Sequence, residues 1–285
     1  MSALAAFGRF AALAAVAGCA MDGEADSPPP DYTSSYFRID RIDLPQDAAD
    51  AADAALDLDR DGSPDNMGGN ALASLQATIE TAGEELPRSV AAGLDGGRVH
   101  WIIEIGRDSV VPGRTAAALH AADDSDGDLV YEIADGIALT GDGRDNDGAV
   151  RTWGGAGRVP ASFLADVQGD WPVTWVNGIA VGLAVSQPSD EELAGRLGFA
   201  TRGDFAPVIA GPLAAFMTER LQAGTLVYAA DMDTDGDGVI TPEELLASPL
   251  TRALLAPDLD LLEDDEVADS LSACFHIHAT AVSLE

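Results

Sequence analysis

The sequence contains no lysine. All 15 basic residues are arginines, against 49 aspartates and glutamates, and the formal net charge at pH 7 is −34. Nucleic-acid backbones and anionic membrane surfaces are bound by clusters of cationic side chains. The composition therefore predicts no nucleic-acid partner and no membrane contact through a basic surface.

Cysteine is almost as scarce, since Cys19 and Cys274 are the two in the chain. If Cys19 is lipidated, as its surroundings indicate below, no internal disulfide can form, and the fold has no disulfide framework. The sequence also lacks a G-x-S-x-G motif, an H-E-x-x-H motif and a glycine loop of the phosphate-binding type. We therefore expect a protein that is not an enzyme.

The acidic excess consists mostly of aspartate, and much of it falls in Asp/Gly runs rather than along helical faces. Short carboxylates in turns are typical of sites for hard cations. The alternative is an acidic surface that keeps the protein soluble, for example in high salt.

The N-terminal segment has the layout of a secretory signal peptide: one cation, Arg9, an apolar stretch over 10–17, and small residues before Cys19. The tetrad at 16–19, Val-Ala-Gly-Cys, resembles the bacterial lipobox, which implies cleavage after residue 18 and a lipid anchor on Cys19. Ala20 in the next position implies sorting to the outer membrane. The alternatives are an ordinary secreted protein cleaved nearby, or a buried apolar N-terminal helix.

The rest of the chain is predicted to be a tether over 19–35 and a single α+β domain over 36–285. We expect an antiparallel β-sheet or sandwich core, with flanking helices and EF-hand-type loops. Strands are predicted at 36–44, in a β-rich region over 98–186 and at 272–284; helices are predicted at 70–82, 84–94, 189–197, 204–222 and 243–255.

The clearest motif is the segment 233–244, DTDGDGVITPEE, which resembles the twelve-residue EF-hand loop at every informative position. Gly238 occupies the sharp turn, and a register starting at Asp231 would place Pro242 where a bidentate carboxylate is needed. The resemblance implies calcium as the bound ion. The implied ligands are Asp233, Asp235, Asp237, the carbonyl oxygen of Val239, Thr241 (directly or through water) and bidentate Glu244.

An earlier segment, 57–66, repeats the D-x-D-x-D-G opening but has Gly68 where the glutamate would stand. It resembles the Asp-rich repeats of thrombospondin-type and dockerin-like modules. That resemblance implies calcium bound by Asp57, Asp59, Asp61 and Asp65. Pro64, at the eighth position, removes the amide through which two such loops pair. The alternative is an Asp-rich structural turn.

Weaker candidates for cation sites are Asp124–Asp128, Asp142–Asp147 and Asp258–Asp269. The first two lie between predicted strands, where Asp/Gly runs are ordinary turn chemistry. Cys274, His276 and His278 alternate along the last strand and would project from one face. Two such histidines could share a zinc ion, but we interpret the three as core or rim side chains.

The order of these features resembles a group of bacterial cell-envelope lipoproteins with EF-hand-type calcium-binding loops. Their pattern is a lipobox, an early Asp-rich loop, a β-rich middle, a late EF-hand loop and a third Asp-rich loop before a final strand. The resemblance implies no enzymatic activity. It predicts a lipid-anchored envelope protein with structural Ca²⁺ and a binding or scaffolding role towards a protein or carbohydrate ligand. The alternatives are a secreted hydrolase with calcium-stabilised loops and a calcium-dependent carbohydrate-binding module.

Overall fold

The structure is a computed structural model, and it describes residues 30–59, 61–78, 87–88, 90–91, 94, 100–124, 128, 130–146, 149–154, 157–160, 175–202, 205–224, 231–261 and 268–284. Within this part of the chain the fold is α+β and rich in strands, as predicted. The strands are β1 (Tyr32–Asp43), β2 (His100–Asp108), β3 (Arg114–Asp123), β4 (Val130–Asn146), β5 (Ala149–Gly154), β6 (Gly157–Pro160), β7 (Trp175–Ser189), β8 (Glu192–Arg202), β9 (Ser270–Ala281) and β10 (Ser283–Leu284). The helices are α1 (Ala48–Ala54), α2 (Met67–Thr78), α3 (Phe205–Ala223), α4 (Pro242–Ala247) and α5 (Pro249–Leu254).

The strands form one sheet that closes on itself. Antiparallel pairs join β1 to β2, β2 to β3, β3 to β4, β4 to β5, β5 to β7, β7 to β8, β8 to β9, and β9 back to β1. β6 pairs with β7, and β10 adds the parallel pair with β4. Of the two predicted arrangements, the described residues therefore adopt a single sheet rather than a sandwich.

The main hydrophobic core fills the inside of this closed sheet. It contains buried side chains from seven of the strands around the ring, so the face they share must be the inner one. Trp101 on β2 and Phe37 on β1 are among its most buried members, at 2% and 0% exposed. The closed sheet therefore has a packed interior.

The segment predicted as a helix at 189–197 instead contains the end of β7, the turn at 190–191 and the first residues of β8. Leu193 and Leu197 are four residues apart, a spacing that suits one face of a helix, but both also fit the period-two alternation that continues to Phe199. All three side chains are buried in the main core. Pairing with both β7 and β9 satisfies the backbone of this segment as a strand, and that decides its conformation.

Other boundaries differ in smaller ways. β1 begins at Tyr32, so residues 32–35 of the predicted tether lie in the sheet, and its register with β9 shifts between Ile39 and Arg41. The helix predicted over 243–255 is divided into α4 and α5 at Ser248. The predicted helix over 84–94 lies mostly outside the described residues.

The base of the first Asp-rich loop packs against the outer face of the sheet. Leu56 and Leu58 lie over Gly182 on β7 and Gly198 on β8, two glycines paired across the strands. A Cβ atom at Gly182 would lie 2.7 Å from Leu58 Cδ2, and one at Gly198 would lie 2.6 Å from Cys274 Sγ. The glycines are thus needed for the close approach of the loop.

A second, separate core joins the two elements on either side of the 233–244 loop. Phe216 and Met217 of α3 pack with Met232, Ile240 and Leu245, and all five are buried. Ile240 is the apolar residue at the eighth position of the loop. Its burial fixes the loop between α3 and α4.

Candidate metal centre

Three carboxylates of the 233–244 loop converge. One oxygen from each of Asp233, Asp235 and Asp237 lies within 4.8 Å of the others, and these three residues could hold a metal ion. Asp233 is half-buried and the other two are exposed. Three carboxylates at this separation repel one another, and a bound cation removes that repulsion.

The loop backbone holds these side chains in place. Asp233 Oδ1 accepts hydrogen bonds from the amides of Gly236 (2.9 Å) and Asp237 (3.1 Å), and Asp233 Oδ2 accepts one from Gly238 (3.0 Å). Gly236 and Gly238 have φ of +74° and +84°, in the left-handed region that glycine adopts at least cost. Gly238 thus takes the turn predicted for it.

Glu244 belongs to a different group of contacts. It is the third residue of α4 and forms a capping box with Thr241, the N-cap residue. Its Oε2 accepts hydrogen bonds from the amide (3.0 Å) and hydroxyl (2.9 Å) of Thr241. Its Oε1 accepts bonds from the amide (2.8 Å) and hydroxyl (2.7 Å) of Thr234.

These bonds, chiefly the one from the Thr241 amide and then those from the Thr234 and Thr241 hydroxyls, lower the pKa of Glu244 to about 2. Glu244 is therefore ionised at neutral pH and joined to the second and ninth loop positions. It does not belong to the convergent group formed by the three described aspartates.

The first Asp-rich loop repeats the same local pattern. One oxygen from each of Asp57, Asp59 and Asp61 lies within 4.8 Å of the others, so this triplet too could hold a metal ion. Both loops share three hydrogen bonds from backbone amides to aspartate side chains. The aspartate at position 1 accepts from the amide of position 6, that at position 3 from position 5, and that at position 5 from position 7. The distances are 2.7–3.2 Å in this loop and 2.8–3.1 Å in the later loop. Gly62, at the sixth position, has φ +94°.

Asp57 has an oxygen whose environment is unusual. Its Oδ1 atom is buried and has no hydrogen-bond partner within the described part of the chain. A buried carboxylate oxygen without a donor is costly, and the cost is relieved when a cation binds.

Asp65 lies outside the triplet, although the sequence predicted it as a ligand. Its Oδ2 accepts a hydrogen bond from the Leu58 amide (2.8 Å), and its own amide donates to the Leu56 carbonyl (2.8 Å), so it closes the base of the loop. Burial raises the pKa of Asp65 to about 6 against the effect of the Leu58 amide, and repulsion from Asp59, Asp258 and Asp61 adds to the rise.

In the third Asp-rich segment, Asp258 forms hydrogen bonds with both α2 and β9. Its carboxylate accepts hydrogen bonds from the amides of Met67 (3.2 Å) and Ser272 (2.8 Å), and from the Ser272 hydroxyl. It thereby joins the start of α2 to β9. Asp269 Oδ1 accepts from the Ser270 hydroxyl (2.6 Å), while residues 262–267 lie outside the described chain.

The remaining weak candidates are placed as follows. Asp128 Oδ1 accepts a hydrogen bond from the Val130 amide (2.8 Å), which is ordinary turn chemistry, and residues 125–127 lie outside the described part. The segment predicted as a turn at 142–147 is part of β4 up to Asn146, so its backbone is in the sheet and not in a loop.

The three residues on β9 do not converge on a metal. Cys274 is fully buried, its thiol donates to the Asp65 carbonyl (3.2 Å), and burial raises its pKa to about 12. His276 Nε2 lies 3.0 Å from Asp53 Oδ2, and His278 contacts Arg41. None of the three residues is in a group of three or more metal-ligating side chains within the described chain.

Several contacts of these loops come from residues that the sequence motifs did not reveal. Thr218 and Gln222 on α3 bind the backbone of the 233–244 loop, and Asn66 binds β9. The four-residue spacing of Thr218 and Gln222 places them on one helix face, but it does not indicate what that face contacts.

Cys19 precedes the described residues, so its predicted lipidation stays a prediction. Of the helices in the described chain, none has the length and apolar character needed to cross a membrane. Comparisons with protein-family models, with curated proteins and with solved structures find no match to this chain.

Proposed function

We propose that this chain is a calcium-binding protein of the bacterial cell envelope, anchored through lipid on Cys19, in which the calcium ions are structural. The observation that carries the proposal is the repeated carboxylate triplet. Two loops, at 57–65 and 233–244, each bring three aspartates together on the same pattern of backbone hydrogen bonds. Hydrogen bonds from the amide two residues further on are ordinary turn chemistry, so it is the convergence of three carboxylates in each loop that favours a cation.

The chemistry of the donors favours Ca²⁺ over other metals. All candidate ligands are oxygens: carboxylates, a backbone carbonyl and a hydroxyl. Zinc and other softer metals prefer nitrogen and sulfur, and Mg²⁺ requires a tighter octahedral shell and retains its water. Calcium accepts six to eight oxygens in flexible geometry. The 233–244 loop offers such a set in Asp233, Asp235, Asp237, Val239, Thr241 and Glu244.

The first loop offers a smaller set. Its carboxylates come from Asp57, Asp59 and Asp61, and the buried Oδ1 of Asp57 without a hydrogen-bond donor supports a cation at this loop. Asp65 closes the loop through Leu56 and Leu58, so its part in coordination would be through water.

A structural role for the ion follows from where the loops are attached. The 233–244 loop joins α3 to α4 through a shared core, and the first loop is packed on the outer face of the sheet by Leu56 and Leu58. An ion that relieves repulsion in either loop would stabilise that attachment. Because the ion binds the folded loops and not the unfolded chain, the stabilisation follows mass action.

The lipid anchor is supported by the lipobox tetrad, and the start of the fold limits how far the domain would lie from the anchor. Asp31 is fixed to the turn between β2 and β3, where its carbonyl accepts from the Ser109 amide (2.8 Å) and its carboxylate from the Ser109 hydroxyl (2.8 Å). The chain between Cys19 and Asp31 could extend roughly 40 Å at most. A lipid on Cys19 would therefore keep the domain close to the membrane.

Two measurements test the proposal. Native mass spectrometry of the purified chain, after passage over a chelating resin and addition of Ca²⁺, is expected to show two bound ions; a chain that takes up none contradicts calcium binding. Metabolic labelling with a fatty acid is expected to label the wild type in bacterial cells and not Cys19→Ala. An unlabelled wild type would contradict the anchor.

A further inference from the structure

Two side chains of α3 determine how two successive peptide units of the 233–244 loop are oriented. Thr218 Oγ1 accepts a hydrogen bond from the Ile240 amide (2.8 Å) and donates to the Ile240 carbonyl (3.3 Å). Gln222 Nε2 donates to the Gly238 carbonyl (3.0 Å). The two side chains are four residues apart and share a helix face.

The geometry of the peptide group links these contacts to the carboxylates. The Ile240 amide belongs to the same planar trans unit as the Val239 carbonyl, so the two groups point in opposite directions. Because the amide is directed at Thr218, the Val239 carbonyl is directed away from α3. This carbonyl is the ligand predicted for the seventh loop position.

The neighbouring peptide unit shows which side lies opposite α3. Here the Gly238 carbonyl is directed at Gln222, so the Val239 amide of the same unit points away from α3. That amide donates to Asp237 Oδ1 at 2.8 Å. The side away from α3 is therefore the side of the carboxylates, and the Val239 carbonyl is directed towards them.

Accordingly, we infer that Thr218 and Gln222 are positioning residues for the cation: they hold the Val239 carbonyl towards the aspartates, although neither residue would touch the ion. This inference rests on the proposed calcium binding by the loop. The backbone groups of Ile240, through which such loops pair, are both bound by one hydroxyl of the same chain.

The test compares Thr218→Val, which removes the hydroxyl, with Thr218→Ser, which keeps it. All samples carry Asp59→Ala so that the first loop does not contribute. Calcium affinity is measured by competition with a chromophoric chelator. We expect Thr218→Val to raise Kd about tenfold, since it leaves two backbone groups of a buried residue unpaired, and Thr218→Ser to stay within about twofold of the parent.

A second readout separates ligand orientation from general stability. Europium(III) replaces Ca²⁺ in oxygen sites, and its luminescence decay in H₂O and D₂O counts the water molecules bound to the ion. If the Val239 carbonyl turns away in Thr218→Val, a water takes its place, and the count rises by about one. A merely structural role of Thr218 leaves the count unchanged.

The outcomes are distinct. A parent chain whose 233–244 loop binds no calcium overturns the function proposed for that loop and this inference with it. A parent that binds calcium, with Thr218→Val equal to it in affinity and water count, overturns this inference alone. If Thr218→Val does not fold by circular dichroism, Gln222→Ala decides, because Gln222 is exposed. We expect it to raise Kd about threefold, and an unchanged Kd overturns the inference.

Discussion

The side-chain amide of Asn66 pairs with the backbone of Cys274 as a neighbouring strand would. Asn66 Oδ1 accepts from the Cys274 amide (2.8 Å), and Asn66 Nδ2 donates to the Cys274 carbonyl (3.0 Å). β1 pairs with β9 only as far as His276, so Asn66 continues the hydrogen bonding beyond the end of β1. The first Asp-rich loop is thereby tied to the last long strand.

This pairing predicts a large cost for Asn66→Asp. The residue is 5% exposed, and Nδ2 also donates to the Ala51 carbonyl (2.8 Å). A carboxylate would lose both donated bonds and place its charge against two carbonyl oxygens, so the free energy of unfolding should fall by about 2 kcal/mol or more. Urea unfolding measures the change. The control is Asn70→Asp, whose exposed side chain should tolerate the charge with less than about 1 kcal/mol; equal losses in the two variants would contradict this role of Asn66.

Gly182 and Gly198, the paired glycines beneath the first Asp-rich loop, predict a second effect on stability. A Cβ atom at Gly198 would lie 2.6 Å from Cys274 Sγ and 3.1 Å from Leu56 Cδ1. Gly198→Ala should therefore destabilise the protein by about 1–3 kcal/mol through overpacking. A matched control is Gly211→Ala in α3, where a Cβ atom would meet nothing within 4 Å and where alanine favours the helix. Thermal melts should show a lower Tm for the first variant and an unchanged or higher Tm for the second. The opposite order would contradict the close packing of Cys274 and Leu56 on Gly198.

The raised pKa of Asp65 gives a pH dependence with a definite sign. In the unfolded chain the carboxyl ionises near 3.8, whereas burial holds its pKa in the fold at about 6. Between these values the folded state keeps a proton that the unfolded state has lost, so this residue contributes stability at low pH that is lost as the pH rises to about 6.

Asp65→Asn removes that dependence while keeping an oxygen for the Leu58 amide. In chelator, the variant should be more stable than the wild type at pH 7, and the difference should disappear near pH 4. Melts at a series of pH values measure it. A difference that is constant over this range would mean that Asp65 titrates as in the unfolded chain.

The sequence was a good guide where a feature depends on neighbouring residues. The convergence of Asp233, Asp235 and Asp237 follows from a short loop with glycines at the turns, and β9 follows from its own alternation. The helix over 204–222 was also predicted correctly, as α3.

Contacts between residues that are far apart in the chain could not be predicted from the sequence. Ring closure depends on pairs such as Ile42 with Ile277, which no local pattern specifies. Likewise, Thr218 binds Ile240 because of how α3 packs on the loop. The spacing of Leu193 and Leu197 suits a helix as well as a strand, and their pairing with β7 decides between the two. The alternatives of a hydrolase or a carbohydrate-binding module stay predictions.

Thermal melts in calcium and in chelator measure directly whether calcium stabilises the fold through the 233–244 loop. At a hundredfold excess over Kd, each occupied site should add about 2.7 kcal/mol to the free energy of unfolding. In a chain that carries Asp59→Ala, so that the first loop does not contribute, Glu244→Gln should lose most of the calcium-dependent rise in Tm, because it removes the charge of the proposed bidentate ligand. The neighbouring variant Glu243→Gln, at an exposed position, should keep that rise. A wild-type Tm that does not change on chelation, or two glutamate variants with the same response to calcium, would show that calcium does not stabilise the fold through this loop.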